Sequence, residues 1–267
     1  MSADADNLST EERRARMLAI IETHGFARVA DLSPAFGVST VTVRADLDAL
    51  EVGGSVRRVR GGAMPAGAAG LAERPFEETQ VDAAPQKARI ASAAAELVEP
   101  GMSVLLDVGT TTAAVARELV RREDLRDVTI VTNGLSIALA LEPAIPRIQV
   151  VVTGGTLRPL QHSLVAPLGD LLLSKVHADL ALIGCNGVDA AAGITNVNLP
   201  EAEVKRSMVS AAARVVVLAD GSKIGRASLG HVASAEEIDV VVTDVGAPAS
   251  ARHELESLDD GPRLLIV

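Results

Sequence analysis

Hydrophobic residues recur with the period of an amphipathic helix near the start of the chain. One apolar face is formed by Met17, Leu18 and Ile21. The preceding sequence Ser9-Thr10-Glu11-Glu12 is typical of a capping box, which predicts that a helix begins there. A second, short helix is predicted from about Val29 to Phe36, and Pro34 within it either shortens the helix or marks its first turn.

A third helix is predicted over about Thr40–Glu51, with Ser39 as its N-cap and two glycines after its end. Its core face, at positions i, i+4 and i+7, consists of Val43, Leu47 and Leu50. The alternating run Ser55–Arg60 resembles one strand of a hairpin. Short helices followed by a hairpin predict a winged helix-turn-helix domain over residues 8–62.

From Lys87 onward, runs of β-branched residues alternate with Ala-rich helical stretches. The strand candidates are Ser103–Asp107, Val128–Thr132, Ile148–Thr153, Asp179–Ile183, Arg214–Ala219, Asp239–Thr243 and Leu264–Val267. Near-continuous apolar strands separated by helices predict a mostly parallel α/β sheet that is covered on both faces. Residues 63–86 are rich in Gly, Ala and Pro and are predicted to be a linker, so that 87–267 form a second domain.

The net charge of −10 at first argues against a nucleic-acid partner. Its distribution changes that interpretation: residues 8–62 hold eight arginines and seven acids, a net of +1, so the rest carries −11. Three of these arginines, Arg57, Arg58 and Arg60, lie in the hairpin. A local basic patch is sufficient for phosphate contacts, because they act over about a Debye length. Single-stranded nucleic acid is disfavoured, because three Phe and no Tyr or Trp offer little stacking surface.

The third helix is expected to enter the major groove of double-stranded DNA, as the second helix of a helix-turn-helix does. A step of 100° per residue turns four of its positions outward: Val41, Arg44, Ala45 and Asp48. An outward Val41 is expected to contact a thymine methyl group, and Arg44 is expected to donate hydrogen bonds to a guanine edge or a phosphate. The predicted DNA-binding residues are Ser39, Thr40, Val41, Thr42 and Arg44 on the helix and Arg57, Arg58 and Arg60 in the wing. The alternatives are an ordinary small helical domain with scattered arginines and a scaffold that uses this motif for protein contacts.

The strongest ligand-binding candidate in the second domain is a strand that runs into Gly109-Thr110-Thr111-Thr112 and then into a helix. Such a turn directs backbone N–H groups and the positive end of a helix at an anion, and a phosphate is the natural guest. Other polar turns follow strands as well, and ligands of open α/β sheets bind beyond the carboxyl ends of strands. The predicted effector-binding residues are Asp107, Gly109, Thr110, Thr111, Thr112, Asn133, Gly154, Gly155, Asn186, Lys205, Asp220 and Lys223. The alternative is that most of these are structural turns and that the lysines are solvated.

Both regions resemble the DeoR family of bacterial sugar-metabolism repressors. The first region carries ERRAR, an HG break, FGVS, TVRADL and RRVRGGA, and the second carries DVGTTT, IVTNGL, VVTGGTLR, ADLALIGCNGV, EVKRSM and VLADGSKIG. The resemblance implies a DNA-binding repressor of sugar-metabolism genes. It also implies a sensor domain similar in fold to ribose-5-phosphate isomerase and acyl-CoA transferases, with a phosphorylated sugar as effector. The chain departs from the family at Ala45, where a second arginine is usual, so one DNA contact is in doubt.

The rival function is a sugar-phosphate isomerase or transferase with an appended DNA-binding module. In the related isomerases, the loop after the fourth strand carries acids that move protons, whereas here Gly184–Asp189 offers only Asp189. The sequence therefore predicts binding without turnover and no catalytic residue. Neither a cofactor nor a metal is expected, because the five histidines have no metal-ligand spacing.

The sequence also suggests where the protein acts and in what form. Cys185 is the single cysteine, which suits a reducing cytoplasm, and it is expected to be a small turn residue rather than a nucleophile. No apolar run reaches the ~20 residues of a membrane span, and the acidic N-terminus is unlike a signal peptide. A homo-oligomer is expected, because one small winged helix has too little interface for selective binding to DNA.

Overall fold

The amphipathic segments near the start of the chain fold into helices around a small antiparallel sheet. The computed structural model describes residues 9–24, 27–59, 62–65 and 75–267. Its contacts divide the chain into two units, residues 1–72 and 73–267. The first unit contains α1 (Thr10–His24), β1 (Ala27–Arg28), α2 (Val29–Phe36), α3 (Thr40–Val52), β2 (Val56–Val59) and β3 (Gly62–Pro65).

Local sequence signals fix the ends of these helices. Ser9 and Glu12 form the predicted capping box: the Ser9 N–H donates to the Glu12 carboxylate at 3.0 Å, and the Glu12 N–H donates to Ser9 Oγ at 3.3 Å. Pro34 is the sixth residue of α2 and not part of its first turn. The helix ends soon after it, at Gly37, whose φ of +63° favours glycine.

The core of the first unit lies between the helices and the sheet, in which β3 pairs with both β1 and β2. It consists of Met17, Ile21, Ala27, Val29, Leu32, Phe36, Val43, Leu47, Val56 and Ala63. The predicted apolar positions Leu18 and Leu50 are half-buried against this core. A small helical core with a β-hairpin is the winged helix-turn-helix that the hydrophobic pattern predicts.

The second unit alternates strands and helices. In chain order its elements are α4 (Phe76–Val81), α5 (Ala84–Ala95), β4 (Ser103–Leu106), α6 (Thr110–Arg121), β5 (Val128–Thr132), α7 (Leu135–Leu141), β6 (Ile148–Val152), β7 (Thr156–Arg158), β8 (Ser163–Val165), α8 (Leu168–Leu173), β9 (Leu180–Gly184), β10 (Gly187–Asp189), β11 (Gly193–Asn196), α9 (Leu199–Ser210), β12 (Val215–Leu218), β13 (Gly230–Ala233), β14 (Val240–Thr243), α10 (Ala249–Glu256) and β15 (Arg263–Ile266). Each predicted strand is present, within one or two residues at its ends.

The central sheet has seven parallel strands in the order β15-β14-β12-β9-β4-β5-β6. From β4 the chain adds β5 and β6 on one side, and β9, β12, β14 and β15 later extend the sheet on the other side. The connections therefore leave β4 and β9 in opposite directions, which makes the carboxyl ends of this pair a topological switch point. In open α/β sheets, a crevice for ligands forms at such a point.

Alternate residues of the central strands pack on opposite faces of this sheet. On β4, Leu105 packs in one hydrophobic cluster, and Val104 and Leu106 pack in the other. The first cluster includes residues of α9 and α10, and the second includes residues of α5, α6 and α7. Burial on both faces explains why the strands are apolar at nearly every position. Within the described ranges, no helix has both the length and the apolar character that crossing a membrane requires.

The segment predicted as a linker, 63–86, is structured at both of its ends. Residues 63–65 belong to β3, and residues 76–81 form α4 within the second unit. Phe76, one of the three phenylalanines of the chain, is buried against the core that also holds Ile90 and Leu119. The Gly- and Ala-rich composition concealed these elements, because one buried aromatic side chain anchors a helix of only six residues. The part of the segment at 66–74 lies outside the described residues.

Candidate functional site

Helix α3 presents its predicted outward face to solvent. Val41 is 70% exposed, and Arg44, Ala45 and Asp48 are exposed as well. Single exposed apolar side chains are common on protein surfaces, so this exposure makes Val41 accessible to a partner without identifying one. The predicted contact residues Thr40 and Arg44 lie in the first turns of α3, where a helix in the major groove reads base edges.

The start of α3 is fixed by its cap. The Thr42 N–H donates to Ser39 Oγ at 3.1 Å, and the two hydroxyls lie 2.9 Å apart. Ser39 has an extended backbone, as an N-cap residue does. Ser39 and Thr42 therefore hold the first turn of the helix in addition to any contact that they make with DNA.

Asp46 is a functional residue that sequence reasoning missed. It lies on the buried face of α3 and accepts from Arg13 Nε at 2.7 Å and Arg14 Nε at 2.9 Å. Burial alone raises the pKa of Asp46, but the hydrogen bonds from the two α1 arginines outweigh this effect, and its pKa lies below the usual value. The signal in the sequence was an acidic residue next to the core residue Leu47, together with the pair Arg13 and Arg14 in α1.

The wing contains one arginine whose side chain the structure describes. Arg58 Nε lies 3.0 Å from Asp48 Oδ1 on α3, and its Nη1 donates to the Gly62 carbonyl at 3.3 Å. This arginine therefore ties the hairpin to the helix that carries Arg44. Arg57 contributes its backbone to β2, but its side chain, like the whole of Arg60, lies outside the described residues.

In the second unit, the predicted residues after β4 lie at the switch point between β4 and β9. Asp107 is fully buried, and its Oδ2 accepts the Gly184 N–H at 3.0 Å, which joins the two diverging loops. The Val108 N–H donates to Asn133 Oδ1 at 3.0 Å. Gly109, with φ +143°, then turns the chain into α6, whose first N–H groups have no partner within the helix. Gly109 and Thr110 are half-exposed, so this helix start is open to solvent.

The three threonines at the start of α6 differ in what their hydroxyls do. The Thr112 hydroxyl donates to the Gly109 carbonyl at 3.0 Å and so closes the turn. Thr111 is buried, and its Oγ1 is one of the few buried side-chain atoms in the described part of the chain without a hydrogen-bond partner. Asp107 Oδ1 is another. Unpaired buried polar atoms cost about 1–3 kcal/mol each, so each of these two atoms needs a partner such as water or a ligand.

Lys205 was predicted to face a phosphate, but it forms a buried ion pair with Asp107 Oδ2. One turn earlier on α9 lies Glu201, which sequence reasoning missed; it accepts from Arg158 and, at 2.5 Å, from the Ser163 hydroxyl. Burial opposes the charge of Lys205, but the carboxylates of Asp107 and Glu201 outweigh it and raise the pKa of Lys205. This lysine therefore neutralises the buried Asp107 carboxylate next to β4.

Asp220 and Lys223 lie in the turn after β12. Asp220 Oδ1 accepts the Ser222 N–H at 3.2 Å, and its Oδ2 lies 3.7 Å from Lys223 Nζ. Burial raises the pKa of Asp220, but the charge of Lys223, the hydrogen bond from Ser222 and the charge of Lys87 together hold it below the usual value. Lys87, on α5, therefore acts on Asp220 through its charge, although the sequence offered no motif around it.

Four other predicted residues lie in the loops that follow β5, β6 and β9. Asn133 is fully buried, and its Nδ2 donates to the Leu164 carbonyl at 3.5 Å, so it positions two loops. Asn186 is exposed, and its Oδ1 accepts the Val197 N–H at 2.9 Å. Gly154 and Gly155 join β6 to β7 with positive φ values, and a Cβ at Gly155 would lie 2.1 Å from the Val165 carbonyl oxygen. Close packing explains this glycine without a ligand.

The remaining chemical candidates have structural surroundings. Asp189 Oδ1 accepts the Ala191 and Ala192 N–H groups at 3.0 and 2.9 Å, which closes the β10–β11 turn. Burial raises the pKa of the Cys185 thiol to about 11, so it is protonated at neutral pH and a poor nucleophile. Among the described residues, no three His, Cys, Asp or Glu side chains are arranged to hold a metal ion.

Two family models match the chain. The one described as the DeoR-like helix-turn-helix domain matches residues 13–66, and the one described as the DeoR C terminal sensor domain matches residues 82–245. Among curated proteins, the "Putative aga operon transcriptional repressor" of Escherichia coli O157:H7 is 36% identical, over 92% of this chain and 90% of that protein. The "HTH-type transcriptional regulator GlpR" of Haloferax volcanii is 37% identical, over 92% of this chain and 94% of that protein.

Among solved structures, the "Probable sor Operon Regulator" from Shigella flexneri matches with a TM-score of 0.42 and 13% identity, over 65% of this chain and 89% of that chain. Ribose 5-phosphate isomerase A from Methanocaldococcus jannaschii matches with a TM-score of 0.38 and 22% identity, over 51% of this chain and 52% of that chain.

Proposed function

The chain belongs to the DeoR family of DNA-binding transcriptional regulators, and on that basis we propose that it represses sugar-metabolism genes until a phosphorylated sugar binds at the switch-point crevice. In this proposal α3 and the wing bind double-stranded operator DNA, with Arg44 and Val41 at base edges and the wing arginines at phosphates. A regulator of this kind acts where the chromosome lies, and we infer a cytoplasmic location.

The observation that carries the effector proposal is the buried Thr111 hydroxyl without a hydrogen-bond partner at the open start of α6. Free helix N–H groups and the positive end of the helix favour an anion there, and a phosphate has three acceptor oxygens for such donors. Lys223, half-buried at the same edge, adds positive charge. Asp220, in the turn after β12, and Asn186, in the loop after β9, are the groups that we assign to the sugar hydroxyls.

Turnover of the effector is not part of this proposal. The relatives at 36% and 37% identity are named as a repressor and a regulator. Asp189, the acid that the isomerase alternative requires, already accepts two backbone N–H groups of a tight turn. A general base must be positioned within reach of the substrate proton, whereas these bonds show the Asp189 carboxylate in a structural role. Absence of aldose–ketose interconversion with a panel of sugar phosphates is the expected result.

The site is tested by changing Thr111. We expect Thr111→Glu to abolish calorimetric binding of the sugar phosphate that a thermal-shift screen selects, because a carboxylate then occupies the place of the phosphate. Thr111→Val, which removes only the hydroxyl, should weaken binding about tenfold without a change of shape. Operator binding should persist in both variants, and Thr156→Glu, on the exposed strand β7, is the matched control. Undiminished affinity of Thr111→Glu would remove the phosphate from this loop.

A further inference from the structure

The apolar side chains that the second unit leaves exposed are concentrated around its edge strand β6. Of the fourteen large hydrophobic residues that are strongly exposed in the described part of the chain, seven lie within residues 139–171. They are Leu139, Ile145, Val152, Leu157, Leu160, Leu168 and Leu171. Single exposed apolar residues are ordinary on a protein surface, whereas a cluster of them marks an interaction site.

Strand β6 is also an open edge of the central sheet. Within the described residues it pairs with β5 alone, so alternate backbone N–H and C=O groups along its other side have no partner in the sheet. Its sequence, IQVVV, contains none of the charges or prolines that protect edge strands. The opposite edge, β15, differs, because Asp259, Asp260 and Arg263 lie exposed at its start. The β6 edge is therefore the one that can accept another strand.

The same part of the chain carries no negative charge. Residues 143–169 contain no Asp or Glu, and this is the longest such stretch in a chain with 35 acids. Outside residues 8–62 the chain has a net charge of −11, so most surfaces of two copies repel each other. Arg147 and Arg158, within the acid-free stretch, are bonded to groups of the same copy. The surface around β6 is thus one on which two copies of this acidic chain can meet without repulsion.

The two ends of β6 differ in shape. At its carboxyl end, α8 packs beside the strand, and a Cβ at Gly154 would lie 3.6 Å from Leu168 Cβ. Leu173 of this helix is buried in the core, whereas Leu168 and Leu171 are 54% and 63% exposed. At the amino end of β6, a cavity of about 580 Å³ is lined by β5, β6 and the residues just before β6, including Ile145. One end of the strand carries exposed leucines, and the other end carries a hollow.

We propose that two copies of the chain associate through antiparallel β6 strands about a two-fold axis, with Leu168 and Leu171 of each copy in the cavity beside the partner subunit's Ile145. An axis at the middle of β6 places the carboxyl end of each strand beside the amino end of the other, so leucines meet hollow twice. The pairing also satisfies the open backbone groups and removes apolar surface from water. The inference does not depend on the effector site, and it gives the homo-oligomer that operator binding requires a defined interface.

Analytical ultracentrifugation of the full chain without DNA tests the interface. The wild type should sediment as a dimer, or as a larger even-numbered assembly, at micromolar concentration. Leu171→Glu should halve that mass, because it places a carboxylate in an apolar interface. The matched control is Leu229→Glu: Leu229 is 65% exposed, against 63% for Leu171, but lies outside the segment around β6. This control should keep the mass of the wild type.

Mixing two variants tests which residues meet. Leu171→Lys and Ile145→Glu should each lose the assembly when alone. Their equimolar mixture should regain it as a one-to-one complex, because one of its two symmetric contacts is then wild type and the other pairs opposite charges. This recovery also requires that both variants are folded. In the mixture, as in the wild type, alternate amides of residues 148–152 should exchange about tenfold more slowly than in either variant alone.

Three outcomes would overturn the inference. A monomeric wild type, or an unchanged mass in Leu171→Glu, would leave the surface around β6 to a partner of another kind. Loss of the assembly in Leu229→Glu to the same extent as in Leu171→Glu would place the interface elsewhere. A mixture of Leu171→Lys and Ile145→Glu that stays dissociated would rule out the antiparallel pairing.

Discussion

Asp46 illustrates how a single buried charge organises a small domain. Its carboxylate joins α3, the proposed recognition helix, to two arginines of α1 across 33 and 32 residues of sequence. A buried carboxylate is stable only when its acceptors are occupied, and here both oxygens accept a guanidinium N–H. The two ion pairs therefore join α1 to α3 through the Nε of each arginine.

Replacing Asp46 with Asn should lower the free energy of unfolding of the first unit by about 2 kcal/mol, because two hydrogen bonds to a charged group are lost. Native-state hydrogen exchange of α1 and α3 is the appropriate measurement. Because the folded state lowers the pKa of Asp46, its stabilisation is present above the unfolded pKa, near 3.8, and is lost as the pH falls through the folded value.

The exposed acid Asp31 provides the comparison for this experiment. Asp31→Asn should cost less than half as much at pH 7. Equal losses in the two variants would show that the Asp46 ion pairs contribute nothing beyond ordinary surface charge. The stability advantage of the wild type over the Asn variant should shrink as the pH falls through the folded pKa of Asp46, which acid titrations of both proteins followed by circular dichroism can decide.

At the level of elements, the wing and α3 share an ion pair that restrains an arginine. Asp48 is 63% exposed in its side chain and holds Arg58, and it lies on the same outward face as Arg44. Asp48→Ala should strengthen binding to operator and to random DNA alike, because it removes a repulsive carboxylate and frees Arg58 for a phosphate. The salt dependence should become steeper by about one unit.

Arg58→Ala is the reciprocal variant. It should weaken binding to all sequences and flatten the salt slope by about one unit. Fluorescence anisotropy over a range of salt concentrations measures both slopes. Weaker binding by Asp48→Ala would mean that the ion pair positions the wing, and that its loss matters more than the added charge.

The β7–β8 hairpin connects several elements of the second unit through hydrogen bonds. Arg158 and the Ser163 hydroxyl, one on each strand, bind Glu201 of α9. The Leu164 N–H donates to the Asn133 carbonyl at 2.7 Å, and the Phe76 N–H donates to the Leu160 carbonyl at 2.9 Å. The hairpin thus contacts the loop after β5, helix α9 and the start of α4, all within the second unit.

For the whole molecule, we expect a homo-oligomer of at least two chains. A single winged helix-turn-helix buries too little surface to select one operator in a genome, and two half-sites roughly multiply the selectivity. Analytical ultracentrifugation at micromolar concentration, with and without operator, should give at least the mass of a dimer. A monomer under both conditions would contradict this prediction and would require another source of selectivity.

The sequence by itself determined the three helices of the first unit, the seven strands of the central sheet and their order along the chain. Hydrophobic residues at helical spacing predicted α1 and α3, and apolar runs of strand length predicted the parallel sheet. Both patterns show which side chains a segment must bury, whatever it packs against. Capping signals at Ser9 and Ser39 are equally local, since the bonded groups lie three residues apart. The residues DVGTTT indicated the helix start because strand, turn and helix are contiguous in the chain.

Only the tertiary structure decided which charged side chains pair and which stay available. In the sequence, Lys205 was expected to bind a phosphate. Its partner Asp107 lies 98 residues away, directly after β4, which pairs with β9 in the sheet. Glu201 carries no motif, and its role comes from the β7–β8 hairpin. A sequence pattern reports the environment that a residue needs, whereas the identity of a distant partner depends on strand order and packing.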